Sequence, residues 1–202
     1  MTRPPAARTP RPRHEAYSLD ELLDVVVRVF IERGYDATSM ADLARATGRT
    51  KSSLYHHVDG KEHLLQLALS RAVDSLFAVL EEEPSRSGPA ADRLEHVLRR
   101  SLQVLAGQLP YVTLLLRVRG NTDVEREALE RRRAFDRRLS ALVEEAVRQG
   151  DLRADLDPRL VTRLLFGMVN SVTEWYRGDG EHGRQDVEDV IVALAFNGLR
   201  RR

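Results

Sequence analysis

Three times in this chain a hydroxyl residue stands three positions ahead of an acid at the head of an apolar stripe: Ser18 before Glu21, Ser39 before Asp42 and Thr122 before Glu125. Each is a capping-box signature, in which the hydroxyl accepts a first-turn N–H and the acid reaches back to the cap residue. Glycine and proline supply the matching punctuation. Gly34, Gly48 and Gly150 follow the last apolar residues of their stripes, and Asp157-Pro158 pairs an N-cap with a proline at the first helical position. With no strand-like alternation and no internal repeat, these signals predict an all-α chain of about nine helices.

The first helix runs from Ser18 to Gly34 on the stripe Leu22, Leu23, Val26, Val29 and Phe30. A short second helix follows Ser39 with Met40, Leu43 and Ala44 inward. Thr50 is expected to cap a still shorter third helix carrying Lys51 to His57, with Leu54 and Val58 facing the core. Asp59 is expected to cap a long fourth helix reaching about Leu80. Glu83 to Ala90 reads as a linker and Pro110 as a stop, followed by a short apolar segment, Tyr111 to Val118. Helices over 91–108, 122–149, 158–176 and 185–200 complete the pattern. The expected organisation is a disordered basic arm at 1–17, a three-helix helix-turn-helix domain at 18–65, and a helical ligand-binding and dimerisation domain at 66–202. Residues 1–17 hold four prolines and four arginines against a single acid, which suits either an arm for a DNA minor groove or a plain solvated leader.

The chain has thirty arginines but only two lysines, Lys51 and Lys61. Both fall in a stretch that carries no acid between Asp42 and Asp59 and brings Thr50, Ser52, Ser53, Tyr55, His56 and His57 together. Hydroxyls, an aromatic and cations on two turns of chain are the inventory of a surface that meets phosphates and base edges. Two short helices joined by a glycine turn, between a helix before and a longer one after, have helix-turn-helix grammar. Lys51 and Ser52 suit base edges or phosphates. Tyr55, His56 and Ser39 suit phosphates, and Lys61, a cation in a helix's first turn, suits a flanking phosphate. The net charge of +1 leaves DNA affinity to local placement of charge. The absence of cysteine excludes disulfides and thiolate chemistry. No apolar run approaches a membrane span and the first residues lack a signal-peptide core, so a cytoplasmic protein with no membrane partner is expected. The histidines offer no metal spacing and the serines no nucleophile elbow, so neither an enzyme nor a cofactor is expected.

Residues 34 to 65 resemble the signature of the TetR family of bacterial repressors, with Thr50, Lys51, Ser52, Ser53, Leu54, Tyr55, His57, Val58 and Lys61 matching its run position by position. Arg49 departs from it, standing where a small apolar residue is usual. The resemblance implies double-stranded DNA as partner, a palindromic operator read by a homodimer, and a small-molecule effector. It also implies a dimer interface on the last two helices, where Leu164, Met168, Ser171, Val187, Ile191, Leu194 and Gly198 are candidates. Those helices are apolar on more than one face, as a covered surface should be, the lesser alternative being packing within one chain. Arg117, Arg119 and Asn121 beside the apolar Tyr111–Val118 run, with Phe166, Trp175 and Tyr176, are the candidate ligand residues. Cations at the mouth of an apolar cavity suit an amphiphilic anion such as an acyl-coenzyme A thioester, and these segments resemble those of TetR-type sensors of such thioesters. Glu174 beside Trp175 and Tyr176 equally suits a cationic drug, the effector of an efflux repressor. An acyl-binding carrier that does not touch DNA is a further alternative.

Overall fold

A computed structural model describes residues 18–177, 180 and 182–200; the expected basic arm at 1–17 lies outside them. Among the described residues the chain forms ten α-helices. They are α1 (Leu19–Arg33), α2 (Met40–Ala46), α3 (Lys51–Tyr55), α4 (Lys61–Glu81), α5 (Glu83–Arg86), α6 (Ala90–Gly107), α7 (Leu109–Arg117), α8 (Asp123–Gln149), α9 (Pro158–Trp175) and α10 (Arg184–Leu199).

The caps explain where the first three begin. Ser18 and Ser39 each form a complete capping box, and the Thr50 hydroxyl accepts the Ser53 N–H at 3.1 Å. Gly48, at φ +67°, makes the turn from α2 to α3 in the left-handed region, where a side chain costs about 1–2 kcal/mol. Thr38, buried in the α1–α2 turn, donates to the Gly34 carbonyl at 2.7 Å. Leu43, Leu54 and Val58 are buried in the common hydrophobic core; truncating Leu54 to alanine would cost about 2–5 kcal/mol.

Several boundaries differ from expectation. The third helix stops at Tyr55. Gly60, in extended backbone, replaces Asp59 as the cap residue of α4, and the Asp59 N–H instead donates to His63 Nδ1. The linker is a turn of helix, α5, pinned by the buried Ser85 hydroxyl donating to the Val79 carbonyl at 2.6 Å. Pro110 opens α7 rather than stopping a helix, because a missing N–H is harmless in a first turn. The Thr122 box is half made: its hydroxyl accepts the Glu125 N–H. The Glu125 carboxylate turns instead to the preceding loop and accepts the N–H groups of Arg119, Gly120 and Asn121 at 3.1, 2.7 and 2.8 Å.

Helix α4 also corrects the expectation about membrane spans. It is long and apolar enough to cross one, with mean hydropathy 1.3. Its Leu64, Leu65, Ala68, Leu69, Ala72 and Val73 are buried, and it packs against α1, α6, α7 and α8, which is how a core helix spends such a stripe. The 65/66 boundary falls inside it, so one rigid element belongs to both halves.

Candidate nucleic-acid interface and effector cavity

On α3 the helical period divides the residues cleanly. Leu54 points inward at 1% exposure while Tyr55 stands out at 52%. Lys51, Ser52, His56 and His57 are exposed, and Ser53 and Arg49 are half-buried. Lys51, Ser52 and Tyr55 therefore share one open face with no acid in the helix's first turn. A lysine, a hydroxyl and a phenol on a convex helix can donate to guanine acceptors and phosphate oxygens.

Three neighbours have internal duties. Ser39 and Thr50 spend their hydroxyls on caps, and Ser39 holds the Asp42 carboxyl below the ordinary carboxylate range by hydrogen bonding. Lys61 does not wait for an outside anion. Its Nζ donates to the Tyr35 carbonyl at 2.8 Å and lies 4.1 Å from the Tyr35 ring centroid, locking the start of α4 to the α1–α2 turn.

The other half contains a cavity. Leu76 of α4, Ser101 and Leu105 of α6, Val112, Leu115 and Leu116 of α7, Phe135 of α8, and Phe166 and Val169 of α9 surround it. Phe77, Phe135 and Phe166 run beside it edge to face, with centroids 5.8 and 5.6 Å apart. Its volume is about 30 Å³, enough for little more than a water. Arg132, Asp136, Phe166 and Asn170 line both this cavity and a groove of about 990 Å³ between α8 and α9. Arg137, Arg159 and Arg163 join Arg132 along that groove, with Glu144 and Asp157 as further acids. Burial lifts the Asp136 carboxyl above its usual range, against the pull of Arg132, Arg163 and Arg137.

Of the expected ligand residues, Phe166 alone lines the cavity. Arg117 and Arg119 are exposed at the end of α7, and Arg117 donates to the Ile31 carbonyl of α1 at 3.1 Å. Asn121 lies in the Glu125 loop. Trp175 is 51% exposed and Tyr176 buried against the end of α9, both apart from the cavity. Trp175 and Tyr176 stand edge to face at 6.5 Å beside the exposed Glu174, outside the cavity lining.

On the outer face of α9 and α10, Leu160, Leu164, Val190 and Leu194 are 55–67% exposed. Leu160 and Leu164 border an apolar groove with Met168, Ala195 and Gly198, and Ser171 is exposed on α9 nearby. Val187 and Ile191, expected on this face, are buried within the chain; the stripe is rotated so that Val190 and Leu194 take the outside.

Contacts between the halves carry no local sequence signal. The Tyr111 hydroxyl of α7 donates to Asp24 Oδ1 of α1 at 2.6 Å, and burial together with that carboxylate pushes the phenol well above its usual range. Arg71 of α4 lies 4.5 Å from the Tyr111 ring centroid and pairs with Asp20 at 3.1 Å. Thus α7 lines the cavity with Val112 and Leu115 and holds α1 with Tyr111 and Arg117.

A family model described as bacterial regulatory proteins of the tetR family matches residues 22–68, and one described as a tetracyclin repressor-like C-terminal domain matches residues 87–199. The structure resembles that of SCO3833, a member of the TetR transcriptional regulator family from Streptomyces coelicolor A3, with TM-score 0.84 and 58% identity over 92% of this chain and 94% of that one. The HTH-type transcriptional repressor KstR2 of Rhodococcus jostii (strain RHA1) is 29% identical over 98% of each chain. AibR, solved in complex with isovaleryl coenzyme A and operator DNA, is similar with TM-score 0.74 and 25% identity over 88% of this chain and 97% of that one.

Proposed function

The chain belongs to the TetR family of bacterial transcriptional regulators, and from that premise we propose a cytoplasmic repressor that grips a palindromic operator as a homodimer and is released by an acyl-coenzyme A thioester. The observation that carries the effector class is an apolar cavity that shares Arg132, Asp136, Phe166 and Asn170 with a groove also bearing Arg137, Arg159 and Arg163. Hydrocarbon belongs in the first and phosphates in the second, since guanidinium groups pair with phosphate oxygens in bidentate fashion. The similarity to AibR supports the same class. On the DNA side the open face of Lys51, Ser52 and Tyr55 supports α3 as the reading helix, and the exposed apolar face of α9 and α10 supports the dimer that would set two such helices about 34–36 Å apart.

The size of the cavity supports a mechanism. A space of about 30 Å³ cannot admit an acyl chain unless its walls part. Helix α7 is one wall, and it is also tied to α1 through Tyr111–Asp24 and Arg117–Ile31. Displacing α7 would carry α1, while α4 would turn with the same motion. The effector then favours the conformation whose reading helices no longer match the operator, which is the differential affinity that release requires.

The test is fluorescence anisotropy of the protein on the duplex upstream of its own gene, across a range of salt and with a panel of coenzyme A thioesters. Tight binding that falls steeply with salt and is abolished by one thioester is the expected result. Tight binding indifferent to every thioester would overturn the effector class. No affinity for any duplex would overturn the repressor and leave an acyl-binding carrier.

A further inference from the structure

Ser101 lies midway along α6, on the face that closes the cavity, and is fully buried. Its hydroxyl has no hydrogen-bond partner among the described residues. A buried hydroxyl left unsatisfied costs about 1–3 kcal/mol, and alanine at a mid-helix position would avoid that cost while favouring the helix. The residues around it are otherwise mostly apolar: Leu76, Leu105, Val112, Leu115, Phe135. Packing gives no reason for an oxygen here.

The rest of the lining gives one. The charged groups, Arg132 and Asp136, stand on the side of the cavity that also borders the outer groove. Ser101 lines only the inner space, and the other neutral polar side chain of the lining, Asn170, borders both. Polarity is therefore graded, from cations outside to an uncharged hydroxyl within. An uncharged hydroxyl matches an uncharged oxygen on a ligand, since an ionised group would demand a charged partner at that depth.

We infer that Ser101 reads an oxygen on the acyl part of the effector, so that the sensed thioester is a hydroxy- or oxo-acyl compound and not a plain hydrocarbon chain. This deepens the thioester reading and rests on it. A plain chain strands the hydroxyl among hydrocarbon, whereas an oxygenated one satisfies it. Sites built around a hydrogen bond reject analogues that lack the group far more strongly than apolar pockets reject an added hydroxyl.

The experiment is titration calorimetry of the full chain and of Ser101→Ala with a straight-chain acyl-coenzyme A thioester and its isomers bearing an oxo group or hydroxyl at each successive carbon. The wild-type protein is expected to bind at least one oxygenated isomer roughly tenfold or more tighter than the plain chain. Ser101→Ala is expected to bind the two alike, to keep operator affinity, and to melt no lower than wild type because an orphaned hydroxyl has gone. A wild-type protein that binds the plain chain as tightly as every isomer overturns this inference alone, as does a preference that survives in Ser101→Ala. Failure of any thioester to bind overturns the effector class as well.

Discussion

The reading head and the effector bundle hold themselves together across different spans of chain. In the head most ties are local: Ser18 with Glu21, Ser39 with Asp42, Thr50 with Ser53, and Thr47 with the Leu43 carbonyl lie within four residues, and Lys61 with the Tyr35 carbonyl is the longer exception. In the bundle local caps are joined by ties that span far more chain. Arg93 meets Glu145, 52 residues on; Gln103 meets Glu188, 85 on; and Arg99 meets Asp189, 90 on. A segment stabilised by its own neighbours keeps its shape when its surroundings move. One stabilised by remote partners changes shape when a partner does. The first suits a part that must present one fixed face, the second a part that must yield to a ligand, and α4 and α7 join them.

The sharpest way to break this contrast is at the fixed face. Lys51→Ala with Tyr55→Ala together should lower operator affinity by about a hundredfold or more, at about 1–3 kcal/mol for each good contact. Effector affinity, read by calorimetry, should be unchanged; unaltered DNA binding by anisotropy would mean that α3 is not the reading helix. Next comes the face that would pair two heads. Leu164→Glu with Leu194→Glu sets acids where apolar side chains are 61% and 67% exposed. Sedimentation velocity should show a monomer, with operator affinity reduced because each half-site is then held singly; a persisting dimer would move the interface elsewhere.

A smaller effect tests the tie between the halves. Tyr111→Phe removes a hydrogen bond to a carboxylate, worth about 1.5–3 kcal/mol. Operator and effector should each still bind, while the effector concentration needed for release rises by up to about tenfold, in keeping with coupling energies of this order. Release at the wild-type concentration would rule out α7 as the carrier. Smallest is Ser39→Ala, expected to lower stability by about 1 kcal/mol in urea unfolding through loss of the α2 cap. Operator affinity that falls more than this accounts for would show that the hydroxyl also serves a phosphate.

The same division governs what the sequence disclosed. The caps of α1, α2 and α3 were legible because a hydroxyl and its N–H partner lie three residues apart, and the faces of Leu54 and Tyr55 follow from helical period. The tie of Lys61 to the Tyr35 carbonyl is not legible locally because the acceptor is 26 residues away. Pro110 was ambiguous by its own chemistry: a ring without an N–H suits the first turn of a helix as well as the residues after one. Arg117 and Arg119 adjoin an apolar run in sequence, yet both are exposed and outside the cavity lining, Arg117 turning to the Ile31 carbonyl. The arginines that do line the groove, at 132, 137, 159 and 163, sit on two helices and are lost among thirty. Nothing near Tyr111 announces Asp24.

That last contact sets a rule for anyone who would build a biosensor from these parts. The obvious splice for putting a foreign reading head on this effector bundle is the start of α4, since the chain crosses there once. Such a chimera would discard α1, and with it Asp24 and the Ile31 carbonyl, the two acceptors that α7 grips. It could fold, recognise its new operator and take up its ligand, and still report nothing. A working transplant keeps α1 with the bundle or rebuilds a carboxylate opposite Tyr111.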